Sequence, residues 1–417
     1  MMHRERNNPR RGRDTLVADV VIIGGGLIGS MLACALGQAS VQVVIIEREN
    51  LGKLQIPSLD GRGTAVSLSS KRLLAGIGIW NAIAPHAGAI REIRVVDGDS
   101  PLFLHYDHTD VGPEPFGWIV ANPVIRRALL QRLQALPTVT MLSPAMVTHL
   151  DRNSGGIWAM TNHGKDIRAS LAIAADGRAS PTRSAAGISL TYWNYCQTGI
   201  VCTVAHQEPH YNVAHEHFLP AGPFAILPLA HPHQSSIVWV ERDRFAPILM
   251  AMNENAFLAE LQSRFGDFLG EIRVMSSRFS YPLSLQFAET YIAQRLALVG
   301  DAAHGMHPLA GQGLNMGIRD VAVLAEVIVN AIRLGLDIGD PNRLTSYQRW
   351  RRFDNMMMLA FTDVLNHLFS NDISPVRLMR DAGLALVNHL PPLKTFFMRH
   401  AMGTVGELPR LLRGQTL

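Results

Sequence analysis

Gly24, Gly26 and Gly29 follow the β-branched run Val20-Val21-Ile22-Ile23 and precede the helix-like stretch Ser30-Met31-Leu32-Ala33-Cys34-Ala35-Leu36. That spacing suits a pyrophosphate. Gly24 permits a tight turn, Gly26 lets backbone approach the phosphates, and Gly29 lets helix pack closely on strand. The phosphates then meet the free N–H groups and the positive dipole end of the helix. A second strand, Val41 to Ile46, ends in Glu47. It lies about twenty residues beyond the glycines, where a carboxylate accepts ribose hydroxyls and favours an unphosphorylated ribose. The same stretch also admits a plain glycine turn, a twin-arginine or secretory signal behind Arg10-Arg11, or a membrane span. Strand, glycine turn, helix, strand and acid in this order favour the nucleotide reading.

Two later segments carry comparable chemistry. Leu171-Ala172-Ile173-Ala174 runs into Asp176-Gly177-Arg178 and on through Ser180 to Arg183, a buried strand ending in an Asp-Gly turn. Leu296 to Val299 is a strand that leads through Gly300-Asp301-Ala302-Ala303-His304 to His307-Pro308. The loop Gly311-Gln312-Gly313-Leu314-Asn315 follows and opens a long helix containing Arg319 and Asp320. Other reactive side chains are less informative. His206, His210, His215 and His217 have spacing that metal ligands can have, but no cysteine or carboxylate cluster accompanies them, so no metal is assigned. Cys34 sits in the nucleotide helix as a packing residue, and with only three cysteines and no CxxC pair a disulfide scaffold is excluded.

At these residues the chain resembles the single-component, FAD-dependent aromatic hydroxylases typified by para-hydroxybenzoate hydroxylase. From His307-Pro308 to Asp320 it is similar to the ubiquinone-biosynthesis hydroxylases within that group. The likeness continues through Asp60 to Ser67 around Arg62, Gly117 to Leu129, Trp193 to Pro228, and Thr362 to Ser370. It implies that Gly24, Gly26, Gly29 and Glu47 hold the ADP half of FAD. Arg62 and Arg126 would contact its phosphate or ribityl region, with Arg127 an alternative to Arg126. Asp301 would bind the ribityl chain, and Pro308, Gly311, Gln312, Gly313, Leu314 and Asn315 would lie beside the isoalloxazine ring. The resemblance further implies NAD(P)H as reductant, O2 as co-substrate and a C4a-hydroperoxyflavin that hydroxylates a prenylated phenol. No catalytic residue is assigned; His304 and His307 flank the flavin loop as structural or catalytic alternatives. A hydroxylase of a small soluble aromatic acid, or an inactive flavin-binding subunit of a quinone-biosynthesis complex, are the competing readings.

These groups need a scaffold, and 417 residues with 47% hydrophobic and 17% charged content can build one. Only one dinucleotide unit is present, so the fold class expected is α/β. It combines a discontinuous Rossmann-like FAD-binding domain, a sheet-rich substrate domain and C-terminal helices. The boundaries expected are a basic flexible N-terminus over 1–17, an FAD-binding domain over 18–74, 105–187 and 288–343, a substrate domain over 75–104 and 188–287, and a helical region over 344–417. The net charge of +4 resides largely in Arg4, Arg6, Arg10, Arg11 and Arg13 and in scattered arginines near the C-terminus, so nucleic acid is not an expected partner. Leu390 to Leu412 mixes Phe396, Phe397, Met398, Leu411 and Leu412 with Lys394, Arg399 and Arg410. It reads either as packed structure or as an amphipathic surface for membrane or a multi-enzyme ubiquinone-biosynthesis complex. The location expected is cytoplasmic, with peripheral contact to the inner membrane as the question this segment raises.

Overall fold

The computed structural model describes residues 15–54, 63–98, 103–306, 311–369 and 390–417. Strands Val20–Ile23, Val43–Ile46 and Leu171–Ala174 are buried at every position. Strands without a polar face belong in a sheet covered on both sides. They form the centre of a six-stranded sheet ordered Ile292–Ala293, Leu296–Leu298, Leu171–Ala174, Val20–Ile23, Val43–Ile46 and Val139–Leu142. Every pairing is parallel except that of the edge strand Ile292–Ala293. Helix Leu27–Gln38 packs on both Asn122–Gln134 and Gly313–Arg333. From Val20–Ile23 the chain winds outward in one direction, then returns through Leu171–Ala174 and winds the other way. The crevice at this reversal, beyond the carboxyl ends of the two strands, is where α/β sheets bind ligands.

A nine-stranded, mostly antiparallel sheet supplies the second layer, with Leu190–His206, Gln234–Arg242, Gly222–Pro228 and Val213–Leu219 adjacent in its middle. One face carries Ile200, Phe224, Ile226, Ile237 and Trp239 and closes a core with helices Ala246–Ala251 and Glu254–Phe265. The other turns towards the parallel-sheet unit, where Ala214 and Leu227 pack with Leu68, Ile119, Met398 and Met402.

Two segments depart from the boundaries expected from sequence. Thr15–Val17, assigned to the basic tail, pairs in parallel with Asp166–Ala169. Within 75–104 only Glu92–Asp97 and the start of Phe103–Asp107 join the large sheet. Ile77, Ile79 and Ile83 instead bury in the core around the parallel sheet, at the end of helix Leu68–Gly76 and along the short helix Trp80–Ile83 that follows. Pro341–Phe369 is helical as expected, but the tail after Leu390 is partly core: Met398, Leu411 and Leu412 are buried while Phe396 is exposed.

Candidate functional site

The glycine turn lies at the reversal point of the parallel sheet. Gly24 has φ +106°, and a Cβ there would come within 2.4 Å of Ala175 O. A Cβ on Gly29 would lie 2.0 Å from Gly24 O. Both positions exclude side chains because the protein itself fills the space. Gly26 differs: it caps helix Leu27–Gln38, and a Cβ there meets nothing within 4 Å. Its open ground lies at a helix N-terminus, where N–H groups and the dipole attract an anion. Glu47 is buried and accepts from Gly25 N at 2.7 Å and Glu49 N at 2.8 Å. Carboxylate oxygens hold about four lone-pair sites, so acceptor capacity remains for a ribose.

A second helix N-terminus opens at Gly313, where a Cβ again meets nothing among the described residues within 4 Å. Gly311, at φ +61°, makes the bend into it. Asn315 fixes the loop: its Nδ2 donates to Ala65 O at 2.9 Å and Gly311 O at 3.3 Å, and its Oδ1 accepts from Ser67 N at 3.0 Å. The loop is thereby tied to strand Gly63–Ser67. Gln312 and Leu314 are half-buried beside it, and Asp301 is exposed on the preceding turn.

That turn is braced from behind by Asp320, which is fully buried. Asp320 Oδ2 accepts from Gly300 N at 2.9 Å and pairs with His304 Nε2 at 2.6 Å, while Oδ1 accepts from Arg351 Nε at 2.8 Å. Burial alone would raise this carboxyl, but His304 and Arg351 outweigh it and bring it down to about 2. Arg351 also reaches Asp354 and Asn355, and despite burial its acidic neighbours hold it above the ordinary arginine value. His304, weighed above as structural or catalytic, is an arm of this brace.

The remaining expected residues divide. Arg126 is half-buried in helix Asn122–Gln134, which Asn122 joins to strand Gly63–Ser67 through Thr64 at 2.5 Å, and Arg127 is exposed. Arg62, His307 and Pro308 lie outside the described residues, as do the arginines before Thr15. Asp176 accepts from Thr182 N at 3.0 Å and from Ser180 Oγ, so the Asp-Gly turn caps its own short helix. His206 and His210 bond to Ser235 Oγ and to the carbonyls of Glu208, Leu229 and His231, and His215 packs on Phe268. Burial pushes the Cys34 thiol up to about 12, consistent with packing.

Two inward-facing acids drew no role from the sequence. Asp320 closed the quoted motif without being given a role. Glu216 was hidden among histidines; it is only partly exposed, and burial pushes its carboxyl up to about 7.

The protein-family model described as "FAD binding domain" matches residues 17–362. A Rhodospirillum rubrum relative, "Ubiquinone hydroxylase UbiL", is 52% identical over 412 residues, covering 98% of this chain and 96% of its own. The Escherichia coli "3-demethoxyubiquinol 3-hydroxylase" is 34% identical over 387 residues, covering 92% of this chain and 98% of its own. Among solved structures, p-nitrophenol 4-monooxygenase from Pseudomonas putida has a TM-score of 0.76 at 22% identity, over 93% of this chain and 97% of that one. PqsL of P. aeruginosa in complex with 2-aminobenzoylacetate gives 0.75 at 23%, over 88% and 99%. At that identity the two structures show a shared fold and nothing finer.

Proposed function

We propose that this chain, which belongs to the FAD binding domain family, is an FAD-dependent monooxygenase that hydroxylates the aromatic ring of a polyprenylated phenol in ubiquinone biosynthesis. The observation that carries this reading is similarity along nearly the whole chain to proteins described as ubiquinone hydroxylases. The residues present fit FAD, because the backbone leaves open ground at Gly26 and Gly313, at the N-termini of two helices. Gly24, Gly26, Gly29 and Glu47 would hold the ADP half, Arg126 and Asp301 the linking chain, and Gly311, Gln312, Gly313, Leu314 and Asn315 the ring end. When bound, FAD supplies the activation and transfer of oxygen, with O2 as co-substrate and NAD(P)H as reductant. The chain's own part is to orient the phenol ring and exclude water, for which the sheet face bearing Val201, Ala225 and Val238 is suited.

A prenyl tail partitions into lipid, so the proposal includes reversible contact with the cytoplasmic face of the inner membrane. Among the described residues no helix is long and apolar enough to cross a membrane. On helix Pro341–Phe369, however, Phe353, Met356, Met357 and Val364 are exposed and recur at helical spacing with exposed Arg349. Exposed Tyr192 and Trp193 sit near the Tyr195–Asp363 hydrogen bond of 2.8 Å that joins the large sheet to this helix. This face fits a lipid surface better than the tail, whose Met398, Leu411 and Leu412 are buried. Assembly with other quinone-forming enzymes is a further part of the proposal.

The test is aerobic complementation of a bacterial strain lacking a ubiquinone hydroxylase, with quinone intermediates identified by mass spectrometry. Restored ubiquinone is the expected result. A folded, yellow protein that restores none would refute the assignment.

A further inference from the structure

We propose that Glu216 is a catalytic residue: it accepts the proton of the substrate's ring hydroxyl in a recess between the large sheet and strand Gly63–Ser67. The inference rests on the hydroxylase reading and adds to it the group that meets the ring.

Strand alternation sets the direction of this side chain. In Val213–Leu219, the His215 ring lies 4.6 Å from Phe268 and the His217 ring 6.4 Å from Phe224, both on the face that helix Glu254–Phe265 covers. Glu216 must therefore occupy the opposite face. It stands between Val95 and Ala225 in a row that continues through Val238 to Val201. On that same face Ala214 and Leu227 pack against Leu68 and Ile119, and a Cβ on Gly63 would lie 3.2 Å from Ser236 Oγ. Gly63 begins the strand that Asn315 ties to the Gly311–Asn315 loop, so the face carrying Glu216 looks towards the ring end of the cofactor site.

The wall around Ser236 and Glu216 is mainly apolar. Ser236 Oγ is buried with no hydrogen-bond partner among the described residues. Among the described residues burial alone accounts for the raised Glu216 carboxyl. Among ionisable groups on the neighbouring strands, Asp97 and Tyr106 share this face, whereas His215, His217 and Arg94 point the other way. On the covering segments, Lys71 pairs with Glu114, Lys394 pairs with Asp110, and Arg399 is exposed. Polar groups left so in an apolar wall are costly unless a ligand completes them. A phenol does so with one O–H. In the transfer the O–H bond breaks, its proton joins a Glu216 carboxylate oxygen, and the electron pair stays on the ring oxygen. No electron leaves the ring in this step, and the proton returns to water through the partly exposed side of Glu216. A carboxyl titrating near neutrality is matched to such work.

The experiment measures hydroxylation of a short-chain prenylated phenol by wild-type, E216Q and E216D holoenzymes across pH, with FAD content determined for each. Wild-type kcat should rise through an apparent pKa near neutrality. E216Q should lose about 100-fold in kcat at neutral pH with little change in KM, and recover as alkaline pH ionises the phenol unaided. E216D should fall between them. An E216Q enzyme with the wild-type rate and pH profile overturns the inference while leaving the hydroxylase reading intact. Absence of hydroxylated product from the wild-type enzyme overturns both. If E216Q does not fold, E216D decides, since an unshifted rate and profile in that variant is equally fatal.

Discussion

Asp320 and Glu216 are both acids held within the protein, yet their surroundings drive them in opposite directions. Asp320 has His304 on one side, Arg351 on the other and a backbone N–H, and its carboxyl is held at about 2. Glu216 faces valine and alanine, and burial lifts it to about 7. In the first case the protein supplies every partner, and the result is a brace under the turn that presents Asp301. In the second the neighbours across the strands are apolar, and the side chain is left to respond to whatever enters the recess. A buried acid therefore reports a structural role when its charge is answered from within, and a chemical one when it is not.

The strongest way to break the comparison is to remove the answered charge. Asp320→Ala leaves buried Arg351 with Asp354 as its acidic partner, so the loss falls at or below the about 3–5 kcal/mol that removing one partner from a buried pair costs. Urea unfolding should show that loss, together with reduced FAD content because the Gly300–Ala302 turn is released. The pH dependence has a definite sign. The folded-state pKa is lowered, so the stabilisation is complete above the unfolded value of 3.8 and disappears as pH falls towards about 2. An Asp320→Ala protein as stable as wild type at neutral pH would show that Asp320 is not a brace.

The same distinction separates two glycines. Gly29→Ala forces a methyl against Gly24 O, and overpacking of this kind costs about 1–3 kcal/mol of stability. Gly26→Val should leave the apo fold nearly unchanged, since its first carbon meets none of the described residues within 4 Å, while abolishing FAD binding. Thermal unfolding and flavin absorbance of the two purified variants check the contrast. Equal flavin content in wild type and Gly26→Val would mean that the phosphates lie elsewhere.

Glu216→Gln sharpens the comparison from the other side. Its raised pKa means the folded protein resists ionisation. The penalty is absent below the unfolded value of 4.5 and complete above about 7. Substitution should therefore leave stability unchanged at about pH 4 and raise it at about pH 8, on the order of 2 kcal/mol after allowance for partial exposure. Denaturant titrations of the phenol-free protein at the two pH values measure this directly. Stabilisation that is the same at both would point to packing rather than charge.

These pairs also show what sequence can reveal. The turn at Gly24, Gly26 and Gly29 was legible because its constraints are local: strand end, phosphate approach and helix contact fall within a few residues. Asp320 and Arg351 stand on two successive helices, and nothing in their spacing announces that both converge on the Gly300 turn. Glu216 was obscured for a different reason. The run His215-Glu216-His217 alternates, but which face is covered depends on register with Ile226 and Ala225, and a slip of one residue would exchange the faces. The helix Trp80–Ile83 fell within the segment expected to belong to the sheet-rich substrate domain, because short apolar runs satisfy either period until their packing partners are known.

The smallest expected effect lies outside, where apolar groups rather than an acid are exposed. Phe353 is 74% exposed and Met357 58%, one turn apart on helix Pro341–Phe369. If this face touches lipid, replacing either by Glu should weaken flotation with anionic vesicles by about 1 kcal/mol, or roughly fivefold in partition. FAD content and thermal stability should stay at wild-type values, because neither side chain belongs to a core. Added salt should weaken wild-type binding too, since Arg349 contributes through screened attraction. Truncation after Leu390 is the informative control. It removes Met398, Leu411 and Leu412 from their cores and should destabilise the whole protein. A loss of vesicle binding on truncation alone, with Phe353→Glu and Met357→Glu binding as before, would move the lipid contact to the tail and show that exposure on the long helix serves another purpose.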